Sequence, residues 1–198
     1  MLSTVDSAPA LLRWHSELIT VTGVVASHCD RAEHVEQNSR AALVEVAVRT
    51  RSMAVALAAE LDVDLRELYA DRLARREAGH VLAGTPGPGQ QAFGYGPWTG
   101  SFDGGAAVRS AVTWREWQQA QWWHDVTYLP DVAGMSRRDQ LSHFGHHLAK
   151  LVWRMQEAID IVETRAGFVR DRLPDILLFG IKLSTVVNDV LPQEPIEL

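Results

Sequence analysis

The stretch 136–159, SRRDQLSHFGHHLAKLVWRMQEAI, decides the fold because it predicts one long amphipathic helix. Ser136 and Asp139, three residues apart, resemble the capping box that begins many helices. An apolar face then recurs at helical spacing, formed by Leu141, Phe144, Leu148, Leu151, Val152, Met155 and Ile159. A face of this width needs other helices to pack against, so the stretch predicts a multi-helix core.

A polar stripe runs along one side of the same predicted helix. His143, His146, His147 and Lys150 follow the spacing i, i+3, i+4 and i+7, so their side chains project from one side. Such a stripe either lines a site or faces water, and the sequence leaves both possibilities open.

The flanking segments extend the helical prediction to most of the chain. Apolar residues at helical spacing predict helices at 9–28, 39–61, 65–79 and 113–125, and a last apolar helix after Asp171. Gly79 is placed to end the third of these helices, and Asp171 to cap the last, with Pro174 in its first turn. No segment alternates with period two for long enough to predict a strand. The expected fold class is an all-α helical bundle.

A change of composition divides the chain. Nine of the fourteen glycines lie between Gly79 and Gly105, which predicts a loop, and aromatic residues are interleaved with them: Phe93, Tyr95, Trp98 and Phe102. This loop is either docked on the helices or a lid over a pocket. The predicted organisation is an N-terminal helical unit at 1–79, a Gly/Pro/aromatic loop at 80–110 and a C-terminal helical unit at 111–198, with packing as one domain left open.

Composition and charge limit the function classes. A hydrophobic content of 46% with 22% charged residues is typical of a globular protein. The net charge of -6 argues against an extended nucleic-acid surface. The single cysteine, Cys29, excludes an intramolecular disulfide. With neither a signal peptide nor a membrane span recognisable, we expect a cytoplasmic protein without membrane contact.

The order of elements in the second half carries a family resemblance. A helix with WREWQ, a loop with Asp131, a helix with LSHFGHHLAKL and a final DILLFGIKLSTVVNDVL follow one another. In this order and hydrophobic pattern the half resembles the core of the MazG-like all-α nucleotide pyrophosphohydrolases. In the first half, ALAAELDVDLRELYADRLARRE resembles the segment that follows the last motif helix of the same family. The resemblance implies two MazG-like helical units joined by the Gly-rich loop.

The resemblance also implies a ligand class. In that family a Glu-Glu-x-x-Glu motif and a Glu-x-x-Asp motif hold Mg²⁺ against a triphosphate. Here the first motif falls on His146, His147 and Lys150, and the second on Arg172 and Asp175. If the chain is a nucleoside triphosphate pyrophosphohydrolase, Asp175 and acidic residues of the N-terminal half are expected to hold Mg²⁺. Imidazole and ammonium suit Mg²⁺ poorly, so the replaced motif disfavours a family-type metal site.

Two chemical interpretations of the stripe remain beside a structural one, in which His143 and Lys150 are solvated and His146 or His147 is a hydrogen-bonded polar residue of the core or of an interface. Direct charge-assisted hydrogen bonds to a phosphorylated ligand would come from a cationic pocket of His143, His146, His147, Lys150, Arg154 and Arg172. Alternatively, His143 and His147 have the i, i+4 spacing that lets two imidazoles bind Zn²⁺ or another transition metal, with a third ligand from Asp175 or His124.

The sequence therefore predicts a divergent MazG-like nucleotide pyrophosphohydrolase or a nucleoside-phosphate-binding protein, and it assigns no catalytic residue. The first alternative is a non-catalytic helical interaction module, in which the stripe and the tryptophans at 114–123 form a partner surface. The second is a His-ligated metalloprotein. A homodimer is compatible with each of these hypotheses.

Overall fold

A computed structural model of the protein describes residues 7–33, 39–80 and 102–196. In these ranges the helices are α1 (Ala8–Glu33), α2 (Arg40–Glu60), α3 (Leu65–His80), α4 (Gly104–Ser110), α5 (Trp114–Tyr128), α6 (Pro130–Ala133), α7 (Arg137–Asp160), α8 (Val162–Asp171) and α9 (Leu173–Val186). The same ranges contain no strand, and one isolated antiparallel bridge joins Thr113 to Pro195. The predicted all-α helical bundle is confirmed.

Helix α7 begins as its sequence predicts. The Ser136 hydroxyl accepts a hydrogen bond from the Asp139 backbone N–H at 3.2 Å and donates one to the Asp139 carboxylate at 2.6 Å. The buried face of the helix consists of Leu141, Phe144, Leu148, Leu151, Met155 and Ala158. Local capping and apolar spacing are therefore sufficient to place this element.

The predicted boundary at Gly79 was wrong, because α3 continues to His80. The last turns of α3 are held by α4, a helix within the predicted 80–110 loop. There the buried Glu77 carboxylate accepts a hydrogen bond from the Gly104 N–H at 2.8 Å. The Asp103 side chain begins α4 by accepting from the Ala106 N–H at 2.8 Å. The rest of the predicted loop, with Phe93, Tyr95 and Trp98, lies outside the described residues.

The predicted start of the last helix was also wrong. Asp171 is the final residue of α8, and Arg172 occupies the cap position of α9 without a side-chain capping hydrogen bond. The Asp171 carboxylate instead accepts two hydrogen bonds from Arg170, at 3.0 and 2.7 Å. Helix α8 itself was not predicted, although Pro174 does lie in the first turn of α9.

Helix α9 lies at the centre of the bundle. Every one of its residues except Thr185 is buried, and it packs against α2, α3, α5, α7 and α8. Helix α1 packs mainly on α7, and α2 mainly on α9. Helices from both predicted units thus share one continuous cluster of buried apolar side chains.

The crossing of α2 and α9 depends on Gly180. A Cβ atom at this position would lie 2.7 Å from Arg51 Cγ and 2.9 Å from Arg51 N. Arg51 is 9% exposed, donates a hydrogen bond to the Ser184 hydroxyl, and its guanidinium lies 5.8 Å from the ring centroid of Trp114. Burial lowers the pKa of Arg51 to about 10, with Asp189 partly opposing the shift. Glycine at this crossing lets the two backbones approach closely around a buried arginine.

Candidate functional site

Asp175 joins α9 to α3 by two hydrogen bonds from one guanidinium. Its carboxylate accepts from Arg72 Nε at 2.7 Å and from Arg72 Nη2 at 3.1 Å. Arg172 Nη1 donates to the same carboxylate at 3.3 Å. Asp175 lies in the first turn of α9, where the helix dipole favours a negative charge. This 4%-exposed carboxylate therefore orients two guanidinium groups.

A second buried polar chain lies between α3, α5 and α9. Lys182 Nζ lies 2.8 Å from Asp125 Oδ1, which also accepts from Gln121 Nε2 at 2.8 Å. Gln121 Oε1 in turn accepts from the Tyr69 hydroxyl at 2.6 Å. Burial acts to raise the pKa of Asp125, but Lys182 and His124 together outweigh burial, so the net pKa is lowered. The ion pair is therefore formed at neutral pH and joins α5 to α9 inside the bundle.

His124 is enclosed beside this ion pair. The side chain is fully buried, and neither ring nitrogen makes a hydrogen bond within the described residues. Its Nδ1 lies 3.5 Å from Asp125 Oδ1, too far for a well-formed hydrogen bond. Burial, with smaller contributions from Lys182 and Arg76, lowers the pKa of His124 although Asp125 acts to raise it. The ring is therefore neutral and fills space against Tyr128, at a centroid distance of 5.2 Å.

The two histidines predicted as a pair do lie together on α7. The ring centroids of His143 and His147 are 4.6 Å apart, and His147 stacks on Phe179 at 4.9 Å with an interplanar angle of 23°. Burial first, and then His143, Arg76 and Lys182, lower the pKa of His147 to about 4, with Asp175 opposing. The pKa of His143 is lowered as well, chiefly by burial. Both rings are neutral at pH 7.

Arg76 lies one turn after Arg72 on α3 and is half-buried. Its guanidinium makes no hydrogen bond and no ion pair within 4 Å to any residue that the structure describes. Burial lowers the pKa of Arg76, and Arg72 and Arg172 lower it further against the pull of Asp175 and Asp125. Arg76 is thus a cation in a partly desolvated position with its donors unused.

These groups form a site with excess positive charge, here called the central cluster. It consists of Arg72, Arg76, His143, His147, Arg172, Asp175, Lys182 and Asp125. With both histidines neutral, four cationic side chains face two carboxylates, an excess of two positive charges. In a half-buried setting such an excess favours the binding of an anion.

The residues predicted from sequence separate into three groups. His143, His147, Arg172 and Asp175 lie in the central cluster. The side chains of His146 and Lys150 are exposed to solvent. Arg154 lies farther along α7 and forms an ion pair with Glu157 at 2.7 Å. The predicted cationic pocket therefore holds only part of its expected residues.

The metal-ligand set proposed from sequence, Asp175, His143 and His147, does not fit a metal ion. Both oxygens of Asp175 accept hydrogen bonds from guanidinium groups. Among the residues in the three described ranges, no three His, Cys, Asp or Glu side chains are grouped so as to hold a metal. Mg²⁺ prefers several oxygen ligands, and a zinc site needs three or four protein ligands. The donors present here suit neither ion.

Two tryptophans of α5, Trp114 and Trp117, pack toward the core. Trp117 is fully buried, its indole N–H donates to the Val108 carbonyl at 3.2 Å, and its ring centroid lies 5.4 Å from that of Tyr69. Trp114 contacts Trp117 edge-on at a centroid distance of 5.6 Å. At least these two side chains serve the core rather than an exposed partner surface.

Sequence reasoning missed the two arginines of α3 and the Lys182–Asp125 pair. Arg72 and Arg76 belong to a segment rich in charged residues that has the composition of a solvated helix. Lys182 carried a usable signal, because it is the one charged residue between Asp175 and Asp189 in an apolar helix. A lysine enclosed in this way needs a buried partner, and Asp125 fills that role.

Comparison of the chain with protein-family models, curated proteins and solved structures gave no match. Among the helices in the described ranges, none combines the length and apolar character needed to cross a membrane.

Proposed function

We propose that the protein binds a phosphorylated small molecule, of which a nucleoside phosphate is the leading example, through the central cluster. The single observation that supports this most is Arg76, a half-buried guanidinium without a hydrogen-bond partner in the described part of the chain. A phosphate group would supply the acceptor oxygens that this position lacks.

The surroundings of Arg76 suit a phosphate in particular. Arg72 and Arg172 are held by Asp175, and they keep donors that do not point at that carboxylate. Planar guanidinium groups bind phosphate oxygens in pairs, and the partial burial strengthens each charge-assisted hydrogen bond. A ligand with two negative charges would balance the excess of the cluster.

The proposal is binding without metal-dependent hydrolysis. Descent from a MazG-like pyrophosphohydrolase, as the sequence pattern suggests, would account for the ligand class. Direct arginine contacts would then replace the metal-bridged contact of that family. The ion pairing of Asp175 with Arg72 supports this replacement, because that carboxylate already serves as a guanidinium partner.

Isothermal titration in EDTA tests the proposal directly. Wild-type protein, Arg76→Met and Arg137→Met are titrated with inorganic phosphate, AMP and ATP at low ionic strength. Arg137 is an exposed arginine at the start of α7 and serves as the matched control. Loss of one charge-assisted hydrogen bond costs about 1.5–3 kcal/mol, so Arg76→Met is expected to weaken binding by roughly 10- to 100-fold.

Binding by Arg137→Met is expected to equal that of the wild type. If the wild-type protein binds none of the three compounds, or if Arg76→Met binds them as well as the wild type does, the proposal is wrong. Release of phosphate or pyrophosphate from ATP on addition of Mg²⁺ would instead support a hydrolase.

A further inference from the structure

A cavity of about 270 Å³ lies where α7, α8 and α9 meet, next to the central cluster. Its lining residues are Arg154, Glu157, Thr164, Gly167, Phe168, Asp171 and Arg172. Arg172 also donates to Asp175 in the cluster, at 3.3 Å. Arg172 thus belongs both to the cavity lining and to the central cluster, which places the two side by side.

The cavity lining has donors and acceptors to spare among the contacts of the described residues. Arg154 Nη1 pairs with Glu157 Oε2 at 2.7 Å, and the Arg154 side chain is 35% exposed, so Nη2 of the same guanidinium remains as a further donor. Glu157, with Arg154 bound at Oε2, has Oε1 as a second acceptor.

The rest of the lining suits a small hydroxylated ring better than an apolar group. The Thr164 hydroxyl donates to the Ile161 carbonyl at 2.8 Å and keeps lone pairs that can accept. Phe168 is 3% exposed and contributes only a small apolar part of the lining. Gly167 adds no side chain and so leaves the space open. A sugar offers this pattern, with hydroxyl groups at its edge and C–H groups on its faces.

We infer that this cavity binds the sugar of a ligand whose phosphate group lies on the central cluster. The inference rests on the proposed function and makes it more specific. The ligand is then a sugar phosphate, either free or as the ribose phosphate of a nucleotide. Guanidinium groups donate to its hydroxyl oxygens, while Glu157 accepts from a hydroxyl.

Gly167 allows a test that fills the cavity without disturbing the fold. A Cβ atom at Gly167 would meet no heavy atom within 4 Å, so Gly167→Leu can extend into the space that the sugar would occupy. Gly23 on α1 is the matched control, because a Cβ atom there also meets nothing within 4 Å and the residue does not line the cavity. Both glycines lie inside helices, so the two substitutions change helix propensity alike.

Wild type, Gly167→Leu and Gly23→Leu are titrated with inorganic phosphate, ribose 5-phosphate and AMP. We expect wild type and Gly23→Leu to bind ribose 5-phosphate at least tenfold more tightly than inorganic phosphate. Gly167→Leu is expected to bind inorganic phosphate unchanged and to lose the preference for the sugar. AMP binding more tightly than ribose 5-phosphate would identify a nucleotide as the source of the sugar phosphate.

The titrations distinguish failure of the phosphate site from failure of the sugar site. No binding of phosphate by the wild type overturns the proposed function itself. Equal binding of phosphate and ribose 5-phosphate by the wild type overturns only the sugar site, as does a sugar preference that survives in Gly167→Leu. Glu157→Gln provides a second variant of nearly the same volume, and it is expected to reduce the sugar preference severalfold while inorganic phosphate still binds.

Discussion

An arginine lies on each of two flanks of α9, and the two arginines differ in burial and in hydrogen bonding. On the α2 flank, Arg51 is 9% exposed, donates to Ser184 and packs closely against Gly180. On the α3 and α7 flank, Arg76 is half-buried and has no hydrogen-bond partner in the described ranges. The first arginine is part of the helix crossing, whereas the second has donors with which no residue in the described ranges pairs.

The difference shows how a polar residue inside a bundle can be assigned a role. A buried group whose partners lie within the protein stabilises one arrangement of the helices. A partly buried charge without partners weakens the folded state, and proteins keep such groups mainly at functional sites. The flank that holds Arg76 is for this reason the one to which we assign a ligand.

The largest expected effect comes from the buried Lys182–Asp125 ion pair within the central cluster. Replacing Lys182 with Met leaves Asp125 charged, buried and without its ammonium partner, so the free energy of unfolding should fall by about 3–5 kcal/mol. Urea denaturation at pH 7 measures this loss. The double variant Lys182→Met/Asp125→Leu should recover part of it, and a loss below about 1 kcal/mol in the single variant would contradict the structural role.

A smaller effect should separate the two arginines directly. Arg51→Ala removes a stem packed between α2 and α9, and the resulting cavity should lower the free energy of unfolding by about 2–3 kcal/mol. Arg76→Ala removes no hydrogen bond within the described structure, so its effect should stay below about 1 kcal/mol. Urea denaturation of both variants at pH 7 compares them, and equal losses would remove the distinction between the flanks.

The smallest effect concerns pH on the ligand-binding flank. The pKa of His147 is about 4 in the folded protein, against 6.5 for an unperturbed histidine. Between these values the unfolded chain binds more protons at this residue, so stability should fall as the pH decreases from 6.5 toward 4. His147→Gln should lose less stability than the wild type between pH 7 and pH 5 in urea denaturation.

Part of that pH dependence should survive in the variant. The pKa values of His143, His124 and His28 are also lowered, chiefly by burial, and these residues add slopes of the same sign. An identical loss of stability for wild type and His147→Gln would show that the ring is not desolvated in the folded state.

Features of the fold that depend on neighbouring residues could be predicted from the sequence. Ser39, Thr113 and Ser136 each occupy the cap position just before α2, α5 and α7, because a capping side chain acts on the N–H groups two or three residues later. The apolar face of α7 likewise follows from spacing alone. These signals are local, and nothing elsewhere in the fold overrides them.

The candidate site depended on residues far apart in the sequence. Asp175 was singled out, but its partner Arg72 lies 103 positions away on a helix whose charged residues resemble a solvated surface. Gly79 and Asp171 carried valid helix-end signals, yet Glu77 packs against α4 and Asp171 pairs with Arg170. Helix packing decides which charged side chains pair with each other. The residues next to each charged side chain in the sequence do not reveal its partner.

The close crossing at Gly180 also constrains how the protein is made. The principal packing partner of α2 is α9, which lies more than 100 residues later in the chain. The principal partner of α1 is α7, which also lies more than 100 residues later. During synthesis the first helices leave the ribosome long before the surface that covers them. The apolar faces of α1 and α2 therefore stay exposed until α7 and α9 have been synthesised, and we expect folding to be slow for a helical protein and to benefit from chaperones that hold nascent helices.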